Sequence, residues 1–237
     1  MDTFLGGKVR ITQSQTGFRS GLDAVMLAAA VPAVTGQSFL ELGAGDGTAS
    51  LCLAARVPGV SVVGVEREES LVALACDNAA ANHADCTFVA ADIFALPAEL
   101  KREFDQVFCN PPFHGEGQAS PDAARAAALM DDGQLRDWLK LGLQRTVSGG
   151  FFTAILRADR LNEALAALPQ TGVSLFPLWP REGVAAKRVI IQARKASRAA
   201  FSLLPGLVLH RDDGSWTPGA EAVLRRGSAL ALSEARL

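Results

Sequence analysis

From Ser38 onward, short apolar runs alternate with alanine- and leucine-rich stretches, and this alternation most narrows what the chain can fold into. Strand, helix and strand in succession build a parallel sheet with helices on both faces, because each crossover must pass over the sheet. Strands are expected at Ser38–Leu42, Ser61–Glu66, Thr87–Ala90, Phe104–Cys109, Gly150–Leu156, Val173–Trp179 and Arg188–Ala193. Helices are expected at Thr48–Arg56, Glu68–Asn82, Leu135–Val147 and Arg160–Leu168. The seven strands fit one doubly wound, mostly parallel α/β domain. Only WPREGVAAK separates the last two, too little for a crossover helix, so that pair is expected to be antiparallel. Residues 1–37 read as an N-terminal segment packing on a core of residues 38–200. Residues 201–237 read as an appended strand (Leu207–His210) and helix (Pro218–Arg226) of the same domain.

With 237 residues, 49% hydrophobic and 20% charged, the chain can bury a substantial core and does not have the composition of a disordered one. The apolar stretch Ala24–Val34 is too short to span a bilayer and is interrupted by Pro32, so no membrane partner is expected. The opening MDTFLGG lacks the basic start and long apolar run of a signal peptide. Cys52, Cys76, Cys86 and Cys109 form no C-x-x-C pair and have no histidine at ligand spacing. They read as small buried apolar residues of a reduced, cytoplasmic protein without a structural metal. Charge is uneven: residues 1–130 hold 8 Lys+Arg against 15 Asp+Glu, and residues 131–237 hold 15 against 10. The densest basic stretch is Arg181–Arg198, where Lys187, Arg188, Arg194 and Lys195 flank an apolar strand. Ends of that strand beside a cofactor edge could grip RNA phosphates, whereas ends on the opposite edge could not; a solvated face is the competing reading.

The loop Gly43-Ala44-Gly45-Asp46-Gly47 follows the first core strand and opens the first core helix, where backbone N–H groups converge on a ligand. Its glycines are spaced by two, which departs from the G-x-G-x-x-G dinucleotide fingerprint. The second strand ends at Glu66, placed as a carboxylate should be to accept ribose hydroxyls. Asp92 sits at the end of the third, where an N-cap or turn role competes. The fourth runs into Asn110-Pro111-Pro112-Phe113; each proline fixes its own φ and disfavours helix before it, so Asn110 and Phe113 lie on a stiff, extended scaffold.

Glu41-x-Gly43-x-Gly45-x-Gly47, an acidic strand end, Asp92 and Asn-Pro-Pro-Phe together resemble the S-adenosylmethionine-dependent methyltransferases with a seven-stranded sheet. That resemblance implies that Glu41 and the loop Gly43, Ala44, Gly45 and Gly47 line the methionine part of the cofactor. It also implies that Glu66 binds the ribose and Asp92 nears the adenine. By the same resemblance Asn110 belongs to both the cofactor-binding and the catalytic set, and Asn110 to Phe113 match a motif used on planar amine or amide nitrogens. An exocyclic amine is a poor nucleophile because its lone pair is delocalised into the ring. The Asn110 side-chain oxygen and the Pro111 carbonyl can accept its N–H groups and turn the lone pair toward the methyl. Phe113 can stack on the extracted base. His114 reads as a surface loop residue.

Over nearly the whole chain the sequence is similar to the bacterial tRNA(Val) adenine-N6 methyltransferase family. The matching stretches are Gly6–Pro32 (a Gln-containing strand, then Gly-aromatic-Arg and an Asp before an apolar helix), Pro177–Lys195 and Pro205–Arg225. This implies a tRNA substrate, with Arg19 and Asp23 near the cofactor or the pocket entrance; a simple helix-start role for Asp23 stays open. Asp122–Asp132 departs from the family, which leaves the base and RNA open. Asn-Pro-Pro-Phe-His also resembles the guanine-N2 rRNA methyltransferases, and glutamine methyltransferases of release factors share the Asn-Pro-Pro motif. A catalytically silent cofactor-binding module and a nicotinamide-dependent oxidoreductase are the readings outside this class. The second lacks the third glycine position, and the chain contains no tyrosine.

Overall fold

The computed structural model describes residues 1–14, 19–112 and 134–232. A short hairpin of β1 (Asp2–Phe4) and β2 (Val9–Ile11) precedes α1 (Leu22–Ala30). The core runs β3 (Ser38–Leu42), α2 (Thr48–Arg56), β4 (Ser61–Glu66), α3 (Glu69–Ala81), β5 (Cys86–Ala90) and β6 (Phe104–Cys109). It continues with α4 (Gln134–Gln144), β7 (Thr146–Arg157), α5 (Leu161–Ala167), β8 (Val173–Trp179) and β9 (Arg188–Arg194). Strands β10 (Ser202–Leu203) and β11 (Leu207–Val208) and helix α6 (Pro218–Arg226) follow.

One sheet has the order β10-β8-β9-β7-β6-β3-β4-β5, and β11, the appended strand expected at Leu207–His210, also pairs with β8, so that β10 is the one strand added to those expected in this sheet. β10 and β11 are two-residue segments parallel to β8, and β11 ends at Val208 rather than His210. Strands β3 to β7 are parallel, and β9 alone runs against both neighbours, β7 and β8. The sheet is thus doubly wound. The chain leaves β3 toward β4 on one side and returns to β6 on the other, which opens a crevice at the carboxyl ends of β3 and β6.

Alternation along each strand sends side chains to two buried faces. Phe39, Phe108, Ile155 and Ile190 pack under α1, α2, α3 and α6. Leu40, Leu42, Cys109, Phe152 and Ile191 pack under α4 and α5. Helix α1 is apolar all round because it is sandwiched: Ala24 to Ala30 are all buried. Helix α6 carries its boundaries in sequence. Thr217 accepts from Ala220 N–H as N-cap, Pro218 takes the first turn, and Gly227 closes the end at φ 75°.

Three local expectations change. β7 begins at Thr146, not Gly150, because Gly149 takes φ 81° and a side chain at Gly150 would meet Asp105 O at 2.5 Å; the pair of glycines makes a bulge that lets the strand start early. Strand β2 ends at Ile11, so Gln13 follows the strand instead of lying in it. Cys76 is exposed on α3, whereas Cys52 and Cys109 are buried as expected. Among the described residues no helix is long and apolar enough to cross a membrane.

Candidate active site

Register brings the four motif positions to one edge. Leu42 pairs with both Val65 and Cys109, and Glu66 with Ala90, so Gly43, Glu66, Asp92 and Asn110 succeed neighbouring strand ends. Gly43 and Ala44 N–H donate to Val65 O at 2.8 and 2.9 Å, and Gly47 N–H donates to Ala44 O at 2.9 Å. Gly43, Gly45 and Gly47 all have positive φ, but the space around them differs. A β-carbon at Gly43 would strike the Trp138 ring and one at Gly47 the Phe88 ring, while at Gly45 it would meet nothing within 4 Å among the described residues. Gly45 is therefore the point where the loop faces open space.

The carboxylates divide into braces and an outward-facing group. Glu41 is 2% exposed and accepts from the Ser50 N–H and hydroxyl, which pins the first turn of α2. Burial, with some repulsion from Asp46 and Glu66, pushes its carboxyl up to about 8. Asp46 Oδ1 accepts from Thr48 N–H (3.2 Å), Thr48 hydroxyl (2.6 Å) and Ser20 hydroxyl (2.8 Å). Glu66 Oε2 accepts from Gly45 N–H at 3.0 Å, and Oε1 accepts from Arg67 and Glu68 N–H at 2.8 and 3.0 Å. Its carboxylate is thus aimed at the open part of the loop. Asp92 accepts from Phe94 N–H at 2.9 Å and caps the short helix after it, the competing role considered from sequence. Asp23 is ion-paired with Arg188 at 2.8 Å across the chain, and Arg19 is turned to Asp2 at 2.5 Å.

Asn110 Oδ1 is buried with no hydrogen-bond partner among the described residues. A buried acceptor left unpaired costs about 1–3 kcal/mol, so this carboxamide is held ready for a donor. Pro111 and Pro112 border a cleft with Leu135, Trp138, Arg157 and Arg160. Phe113, His114 and Asp122–Asp132 lie outside the described residues.

The basic run is split by the direction of β9. Arg188 pairs with Arg157 at the carboxyl edge, and Lys187 beside it is exposed. Arg194 pairs with Phe151 at the opposite edge, where its side chain bonds Gly149 O at 3.1 Å; Lys195 bonds Glu103 (2.7 Å) and the carbonyls of Gln144 and Thr146. By the edge criterion Arg194 and Lys195 are removed from the RNA set. Arg157 and Arg160, ion-paired at 2.6 Å to Asp159 and Glu163 respectively, line the cleft beside Pro111 and Pro112. Sequence reasoning passed over them, as it did Ser20, Asn78 and Trp138. No motif marks these residues, and only packing brings them to the loop.

The site suits a ligand carrying hydroxyls and a planar amine partner: an outward carboxylate, an open glycine backbone and an orphaned acceptor lie on neighbouring strand ends. Together with the inverted strand β9, this arrangement defines a class I methyltransferase, the class whose methyl donor is S-adenosylmethionine. Residues 19–136 match the family described as "Methyltransferase small domain", and the chain belongs to that family. A tRNA1(Val) (adenine(37)-N6)-methyltransferase of Shewanella baltica is 26% identical over 225 residues, covering 91% of this chain and 94% of that one. A release factor glutamine methyltransferase of Aliivibrio fischeri is 28% identical over 124 residues, covering 48% of this chain and 44% of that one. The crystal structure of a predicted O-methyltransferase, Atu636 from Agrobacterium tumefaciens, superposes with TM-score 0.71 at 27% identity, covering 88% and 98% of the two chains.

Proposed function

We propose that this methyltransferase modifies the exocyclic N6 amine of an adenine in tRNA, in the cytoplasm. The observation that carries the reading is the buried, unpartnered Asn110 Oδ1 at the carboxyl end of β6, one register step from the glycine loop. A neutral acceptor there matches an N–H donor. A hydroxyl acceptor would instead call for a base to take its proton. The length of the match to the tRNA adenine-N6 relative, nearly end to end, supports the RNA substrate over the glutamine one, whose relative is matched over less than half its length.

When bound, the cofactor supplies an electrophilic methyl on a sulfonium. The chain's own residues do the rest. Glu66, fixed by three backbone N–H groups, accepts the ribose hydroxyls beside Gly45. Glu41 and Asp46 hold the first turn of α2 and the loop in place, and Asp92 flanks the adenine after β5. Asn110 Oδ1 and the Pro111 carbonyl accept the two N–H groups of the amine, which turns its lone pair toward the methyl. The proton leaves afterwards to water. The test is tritiated methyl transfer to total RNA from a strain lacking this gene, with nucleoside analysis of the product. Label in N6-methyladenosine of tRNA is expected; label in methylguanosine, or only in protein, would overturn the substrate.

A further inference from the structure

Asn78 and Asn82 stand one turn apart at the end of α3; Asn82 grips Arg10 within β2 of the N-terminal hairpin, and Asn78 grips Thr12 just after it. Arg10 N–H donates to Asn82 Oδ1 at 2.9 Å, and Asn82 Nδ2 donates back to Arg10 O at 2.7 Å. Thr12 N–H donates to Asn78 Oδ1 at 2.9 Å, and Asn78 Nδ2 donates to Thr12 O at 3.0 Å. Positions four apart on a helix are about 5–6 Å apart, and residues two apart on a strand about 6.5 Å, so the two carboxamides stand in for a neighbouring strand. A primary amide carries, on two neighbouring atoms, the acceptor for the N–H and the donor for the C=O that this needs.

The two asparagines differ in one respect. Asn78 is 2% exposed, and its Nδ2 also donates to Asp46 O in the middle of the glycine loop at 3.0 Å. The further bond of Asn82 goes to Asn78 O of its own helix, at 2.8 Å. Asp46 is thus clamped at its backbone by Asn78 of α3 and at its side chain by Ser20, which precedes the core.

We propose that Asn78 is a positioning residue of the cofactor loop, coupling the N-terminal hairpin to Gly43–Gly47, while Asn82 serves the hairpin alone. This rests on reading the loop as the methyl-donor site. A segment with three glycines at positive φ has wide freedom unless its midpoint is tied, and a tied loop presents its N–H groups with less ordering to be done on binding. Coupling of this kind is reciprocal, so a ligand on the loop steadies the hairpin.

Calorimetry with S-adenosylmethionine on the full chain separates the roles. Asn78→Ala and Asn82→Ala each lose two hairpin bonds and should lower the melting temperature alike. Asn78→Ala should weaken cofactor affinity at least about fivefold more than Asn82→Ala, with kcat at saturating cofactor within about twofold of wild type. Equal affinities in the two variants would overturn the proposal. Should Asn78→Ala not fold, amide exchange on the wild-type chain decides: the cofactor should slow exchange at Arg10 and Thr12, and unchanged rates there overturn it. A wild-type chain that binds no S-adenosylmethionine would remove the reading of the site itself, a failure distinct from equal binding by both variants.

Discussion

The start of β9, at Lys187 and Arg188, and its end, at Arg194 and Lys195, are close to identical as sequence and unlike as surroundings. Arg188 reaches across to Asp23 at the carboxyl edge, level with the end of β7 where Arg157 and Arg160 border the Asn-Pro-Pro cleft. Lys195 is consumed by the opposite edge, bonded to Glu103 and two carbonyls where α4 passes into β7. The strand between them has seven residues, which at roughly 3.3 Å each separates its ends by about 20 Å. A basic stretch that looks continuous in the chain is therefore two surfaces, and only one of them lies beside the site. In a doubly wound sheet, function gathers at one edge because the loops that follow parallel strands all emerge there.

The hardest break to this contrast is Asn110→Ala at the functional edge. Turnover should fall about 100-fold or more with cofactor affinity kept within a few fold, because the amide orients the acceptor amine and does not hold the donor. Single-turnover methylation beside cofactor calorimetry checks both, and undiminished turnover would remove Asn110 from the mechanism.

Glu66→Ala at the same edge should show the reverse split. Cofactor binding weakens by about 1.5–3 kcal/mol as the ribose loses a charged acceptor. A dissociation constant equal to that of the wild type would mean that the carboxylate serves only the loop backbone.

A smaller effect sharpens the contrast within β9 itself. Replacing Arg181 and Lys187 with alanine should raise the KM for RNA several-fold and flatten its salt dependence, each lost phosphate contact removing about one from the slope. Replacing Arg194 and Lys195 should leave both unchanged and lower only the melting temperature, since Lys195 ties Glu103 to the carbonyls of Gln144 and Thr146. If the two pairs behave alike, the division by edge is wrong.

The smallest effect concerns the buried carboxyl beneath the loop. Glu41 is shifted from its ordinary 4.5 up to about 8, so the folded chain holds a proton that the unfolded chain has released between those values. That contribution to stability is full below pH 4.5 and is lost as pH rises through about 8. Melting curves from acid to mildly alkaline pH should therefore fall more steeply for wild type than for Glu41→Gln, which keeps the acceptor for Ser50. Parallel curves would show that the proton is not retained.

Sequence alone determined the elements whose cause is local. The boundaries of β3, β4, β6, β8, α2 and α6 are as expected, because apolar runs, caps and glycines act within a few residues of one another. The antiparallel β8–β9 pair followed from a connection too short for a crossover. The positions of the glycine loop, Glu66, Asp92 and Asn110 at successive strand ends were equally legible, since parallel strands fix which edge their ends share. Tertiary structure decided the rest. That Glu41 is buried against Ser50, and that Gly43 must be glycine because Trp138 lies against it, depend on what packs from elsewhere. The tie from Thr12 through Asn78 to Asp46 joins residues 66 and 32 positions apart, and the fate of Arg188 against Lys195 hangs on the direction of one strand. Contacts between residues so far apart in the chain leave no periodicity for a sequence to display; they exist only once the sheet has closed.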